Sequence, residues 1–183
     1  MGSVWRDARS ITDLGQHMAA WLEGRLPSWP GYHGPFGQEE TDGARHLIPV
    51  LAAANRAGYV TTCSQPACDE VLDGVRWRQR AWVEGVVDKR SPLLRRLEDL
   101  AGRGFTVVHG WPRAGYELTT RDGRAVTGIG GFRMRRNDVV REWRGVGHQA
   151  IRDLKENGVR IHLIDLTYGR DDRLWPALAN AIR

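Results

Sequence analysis

The apolar positions along this chain alternate between two periods. Leu14, Met18, Trp21 and Leu22 recur at helical spacing behind Ser10 and Asp13, a capping pair, so Ile11 to about Arg25 is expected to form an amphipathic helix. A second helix is expected over Glu39 to Ala57, restarted at Pro49 and ended by Gly58. Ser91 and Pro92 form a strong helix start ahead of Leu93, Leu94, Leu97 and Leu100, and Gly102 and Gly104 stop that helix. Helices are also expected near Gly147 to Glu156 and Asp171 to Ile182.

The period shortens to two elsewhere. "YVTTC" (Tyr59 to Cys63), "RWRQRAWVEGVVD" (Arg76 to Asp88), "FTVVHG" (Phe105 to Gly110) and "VRIHLIDLT" (Val159 to Thr167) read as strands. In the longest of them Trp77, Gln79, Ala81 and Val83 face one way, and Arg78, Arg80, Trp82 and Glu84 the other. Asp122-Gly123 between two β-rich runs predicts a hairpin within residues 115–135, with the glycines after it allowing a bend into a further short strand. A strand, a helix and another strand over Arg76 to Gly110 suggest one right-handed parallel crossover. The expectation is one α/β or α+β domain over residues 1–183, with a mixed sheet of about five to seven strands and helices packed on it.

Composition narrows the class. With 183 residues and 41% hydrophobic positions the chain can bury a core, so disorder throughout is excluded. No apolar run approaches the roughly 20 residues of a membrane span, and Met1 to Arg9 has no signal-like apolar stretch, so no membrane partner and a cytoplasmic location are expected. Cys63 and Cys68, even with His46, fall short of a four-ligand set, and no metal is expected. No motif identifies a cofactor, a reaction or an oligomeric state. Of 27 basic residues 25 are arginine, which a G+C-rich genome explains as readily as phosphate binding does. Residues 1–91 carry ten basic and eleven acidic side chains, against seventeen and eleven in 92–183, so a nucleic-acid surface is expected only in the second half.

The candidate chemistry starts at "TTCSQPA". Thr62, Ser64 and Gln65 are small hydrogen-bonding residues at an expected strand end, where open α/β sheets hold ligands; the same residues also suit a plain turn fixed by Pro66. Gln79 and Arg80 on the long strand approach that loop if the two strands pair, with Glu84 orienting Arg80; a solvent-facing Arg80–Glu84 ion pair is the simpler alternative. His109 and Asp165 stand at two other strand ends, where they could converge on the same ligand. "PSWPGYHGPFG" (Pro27 to Gly37) is an aromatic loop, a packed connection or a cover over the site. In "FRMRRNDVVREWRG", Arg133, Arg135, Arg136, Arg141 and Arg144 could contact phosphates, while Val139, Val140 and Trp143 share a helical face that reads as core.

"WRDARSITDLGQHMAAWLEG", "NRAGYVTTCSQPA" and "WRQRAWVEG" together resemble an uncharacterised family of small actinobacterial proteins of Streptomyces type. Its members carry Asn-Arg-Ala-Gly-aromatic-Val-Thr, then Ser-Gln-Pro, then Gln-Arg-Ala. The likeness is close over the first half and loose beyond it. It is a domain of unknown function, so the resemblance implies no reaction, ligand or catalytic residue. Ala67 departs from the glycine expected after Ser-Gln-Pro. The resemblance picks out the stretch that the chemistry picks out. The leading expectation is a protein that binds a small molecule, nucleotide-like or an anionic metabolite, with catalysis on it left open. The alternatives are a nucleic-acid-binding accessory protein using the 132–145 arginines, or an interaction or inhibitor module presenting a tryptophan-rich surface.

Overall fold

Two long runs of backbone, paired in one antiparallel ladder, organise the computed structural model. It describes residues 3–31, 42–110, 115–130 and 141–183. Strands β1 (Tyr59–Gln65) and β2 (Cys68–Leu72) both pair antiparallel with β3 (Val75–Asp88). Only Pro66 and Ala67 separate them, so "SQPA" breaks a strand and does not reverse the chain. The reversal comes at Asp73-Gly74, where both residues have positive φ, 51° and 78°, as a two-residue hairpin closed by Leu72 opposite Val75 requires.

On its other side β3 is flanked in turn by β5 (Tyr116–Arg121) and β7 (Gly158–Tyr168). β6 (Arg124–Ile129) continues from β5 through the Asp122-Gly123 turn, which forms as expected, and β4 (Thr106–His109) lies outside β7. The main path is β4-β7-β3-β5-β6, and every pairing is antiparallel. The expected parallel crossover is not confirmed: β3 and β4 run in the same sense, but β7 lies between them and they do not pair. The class is α+β.

The helices are α1 (Ser3–Asp7), α2 (Ile11–Leu22), α3 (Ile48–Arg56), α4 (Pro92–Glu98), α5 (His148–Asn157) and α6 (Leu174–Ala181), with 3₁₀ turns at Asp42–Leu47 and Asp99–Arg103. Ser10 and Asp13 close a capping box on α2, and Ser91 accepts from the Leu93 amide ahead of Pro92 in α4. Leu14, Met18, Leu51, Leu93, Leu97 and Leu178 pack with Ala81, Val83, Ile161 and Leu163 into the main core. Trp29, from the aromatic loop, is 7% exposed and lies 6.0 Å from Trp21 and 5.5 Å from Trp143, so this part of the loop is core; residues 32–37 lie outside the described ones. Of the tryptophans described, only Trp77 is not buried, which leaves no tryptophan-rich surface among the described residues. No helix among the described residues is long and apolar enough to cross a membrane.

Trp82, Val108, Leu118, Ile129 and Ile164 form a second, smaller cluster. By the alternation of the strands, Trp82 and Ile164 face away from Ala81, Val83, Ile161 and Leu163. Arg80 and Glu84 share this second face of β3 with Trp82.

Candidate functional site

The sequence-derived residues separate into two groups. Gln65, Gln79 and Arg80 do come together, where β1 gives way to β2 and β7 to β5 along β3. Gln65 Nε2 donates to the Arg80 carbonyl at 3.0 Å, and Gln79 Nε2 to the Pro66 carbonyl at 2.6 Å. The Thr119 hydroxyl lies 3.5 and 3.3 Å from their two amide oxygens. Arg80 donates through Nε to the Leu166 carbonyl at 3.0 Å and through Nη1 to the Glu117 carbonyl at 2.5 Å, its guanidinium 4.2 Å from the Tyr168 ring centre. These side chains stitch main chain across the junction. Ser64 stands beside them, half-buried opposite Val83.

Glu84 does not pair with Arg80, either as its orienting partner or as a surface ion pair. It is 6% exposed, and it meets Arg160 from the neighbouring β7. The ladder explains this: Glu84 faces His162, and Arg160 is one alternation further along β7 on the same side of the sheet. Arg160 Nη1 donates to Glu84 Oε1, and its Nη2 donates to Glu142 Oε2. Thr62 joins them because β1 bulges there. Thr61 faces Gly85 and Cys63 faces Glu84, so Thr62 has no ladder partner and its Oγ1 donates to Glu84 Oε1 at 3.1 Å.

His162 completes the cluster. Its Nε2 lies 2.8 Å from the Gly110 carbonyl, which can only accept, so Nε2 carries the proton of the neutral ring. Nδ1 then presents a lone pair to Glu84 Oε2 at 3.4 Å. The ring is fully buried and stacks on Trp82, centroids 6.2 Å apart and planes 12° from parallel. Burial pushes the imidazole down to about 4, helped by the Arg160 charge and opposed by the Gly110 bond.

One guanidinium thus serves two carboxylates, and with both ionised the cluster carries a net negative charge out of water. A proton relieves that charge. Burial pushes the Glu142 carboxyl up to about 7, against its bond with Thr62. Arg160, also by burial, comes down to about 10 and stays charged at neutral pH. The arrangement holds an exchangeable proton near neutrality next to an imidazole that is kept neutral.

The other expectations lie apart. His109 is exposed, 3.2 Å from Glu98, and faces Ile161 across the ladder. Asp165 is fully buried, receiving Arg170 at 2.8 and 2.6 Å and the Thr167 amide at 3.0 Å. Asp165 lies four positions along β7 from Ile161, the residue opposite His109, so the two do not converge. His46 bonds to Asp171 at 2.6 Å, and no group of three or more His, Cys, Asp or Glu side chains among the described residues is placed to hold a metal ion. Arg133, Arg135 and Arg136 lie outside the described residues. Arg141 and Arg144 are exposed, and Trp143 between them is fully buried, as its helical face suggested.

Glu142, Arg160 and His162 were not expected from the sequence. The available signal was "VRIHLI", where Arg160 and His162 occupy one face of a strand whose other face is Ile161 and Leu163.

A search of curated proteins finds no match to this chain. The model of one family, described as a domain of unknown function (DUF6919), matches residues 1–183, and the chain belongs to that family.

Proposed function

We propose that the protein binds a small polar metabolite and moves a proton on it, with Thr62, Glu84, Glu142, Arg160 and His162 as the chemical centre. The observation that supports this most is the single buried guanidinium shared by two carboxylates beside a neutral histidine. A titration shifted by burial beside paired charges is one pointer to a functional site. A general acid or base working at neutral pH needs a group that titrates there, as Glu142 does. Arg160 and Thr62 orient the carboxylates, and the β1 bulge is a common device for re-aiming a side chain toward a site.

In this reading Gln65, Gln79 and Arg80 are the frame of the site, since each donates to main-chain carbonyls across the strand junction. With Arg80 and Arg160 both engaged, a neutral or cationic group rich in hydrogen-bond donors suits the cluster better than the nucleotide-like or anionic metabolite suggested by the sequence. Native mass spectrometry after incubation with a library of polar metabolites tests the reading. The expected result is a discrete added mass on the wild-type chain that Glu142→Gln loses. A mass kept by Glu142→Gln but lost in Arg80→Ala would return the site to the β1–β2 break, and a wild-type chain that stays bare throughout would sink the reading.

A further inference from the structure

A second feature lies away from that cluster, on the solvent side of α5. His148, Arg152 and Lys155 are spaced four and three residues apart, which places them in a row on one helical face. Beside the row stands Lys89, just after β3, whose Nζ donates to the Glu156 carbonyl at 2.7 Å and is thereby held against the end of the helix. These residues line an open groove of about 810 Å³, together with Ile151 and Glu156. The one carboxylate in the lining, Glu156, receives Arg152 Nε at 2.9 Å and offsets part of the charge. Three permanent cations against one anion leave the groove positive at neutral pH.

The groove's three permanent cations, Lys89, Arg152 and Lys155, match about three phosphates of one nucleic-acid strand, which rise roughly 3.4 Å each along the duplex axis. A lipid surface is a poorer match, because basic helices that bind membranes add exposed apolar side chains beside the charge. The large apolar side chains exposed among the described residues, Val71, Leu72, Val126 and Leu166, all lie on strands and none on α5. We propose that the groove of Lys89, Arg152 and Lys155 is a docking surface for the phosphate backbone of a nucleic acid, indifferent to base sequence.

Fluorescence anisotropy with a labelled 20-base-pair DNA duplex between 50 and 200 mM salt reads this directly. Three phosphate contacts predict a slope of log K against log salt of about −2.7, a loss of about 40-fold over that range. Arg152→Ala with Lys155→Ala, both exposed, should bring the slope to about −0.9, and Glu156→Gln should raise affinity. The control is Arg95→Ala with Arg96→Ala, exposed on α4, which removes the same charge elsewhere and should leave the slope unchanged. The inference is overturned if the groove variant, folded by circular dichroism, keeps the wild-type slope, or if the control flattens it equally. It is also overturned if the wild type ignores the duplex and binds vesicles containing phosphatidylserine.

Discussion

Replacing Glu142 by Gln should uncover a pH dependence of stability that the wild-type protein conceals. Burial raises the Glu142 carboxyl from 4.5 to about 7 in the folded state, so between those values the folded chain holds a proton that the unfolded chain releases. Stability from this group is complete below pH 4.5 and is lost as pH rises through 7, a fall of about 3 kcal/mol at about 1.4 kcal/mol per pKa unit. His162 acts in the opposite sense. Its folded value is lowered from 6.5 to about 4, so the unfolded chain binds the proton first, and stability is gained as pH rises from 4 to 6.5. The two windows overlap, and over most of that overlap the contributions cancel. Glu142→Gln keeps the shape of the side chain and its place beside Arg160 but removes the titration. The variant should therefore gain about 3 kcal/mol relative to wild type between pH 4.5 and 7.5, with the histidine slope now visible. Urea unfolding at half-unit intervals of pH, compared at constant m, measures the difference. Carboxylates such as Asp69 and Asp88, held low by their arginines, contribute to both curves and drop out. A variant curve parallel to wild type across this range would refute the claim that Glu142 is protonated in the folded state near neutrality.

Two further changes probe the frame. Asp171 accepts the Ala67 amide at 2.7 Å, Trp175 Nε1 at 2.8 Å and His46 Nε2 at 2.6 Å, tying the β1–β2 break to α6 and the first 3₁₀ turn; Asp171→Ala should cost about 2–3 kcal/mol in urea unfolding, and an unmoved midpoint would contradict this. A Cβ at Gly85 would lie 2.7 Å from both Tyr59 Cε2 and the Val60 carbonyl, and Tyr59 is anchored by its 2.9 Å bond to the Ile161 carbonyl. Gly85→Ala should therefore lower stability by about 2 kcal/mol or more, whereas Gly102→Ala, with nothing within 4 Å, should be neutral or stabilising; equal effects in calorimetry would show that the close approach does not matter.

Helices α2 and α4 were legible because each carries its own boundary chemistry: Ser10 with Asp13, Ser91 with Pro92, and Gly104 at φ 86° after the turn that follows α4. The long strand was legible from the alternation of Ala81 and Val83 against Trp82 and Glu84. β2 was not, since its residues after Cys68 are exposed and Cys-Asp-Glu-Val-Leu alternates nothing. That β3 and β4 are not neighbours was not legible either, because the strand that separates them comes some fifty residues later in the chain. The same insertion hid the partner of Glu84. Arg80 is near in sequence and on the same face, while Arg160 and His162 reach Glu84 only because β7 takes the position between β3 and β4.

That insertion also bears on why the cluster exists. A strand flanked on both sides in the middle of a sheet is where apolar side chains contribute most, and Ala81, Val83 and Val87 follow that rule on β3. A buried ion pair is a poor substitute, because the cost of taking its charges out of water commonly exceeds what their attraction returns, and well-packed hydrophobic replacements are often neutral or stabilising. Here the mismatch is larger, with two carboxylates for one guanidinium and an imidazole that burial keeps uncharged. A strand built for stability would place residues like Ile161 and Leu163 on both of its faces. β7 keeps Ile164 on its other face but gives the rest of that stretch to Arg160 and His162, next to the bulge that turns Thr62 toward Glu84. Stability alone does not account for that choice, whereas the proton-transfer role proposed above requires it.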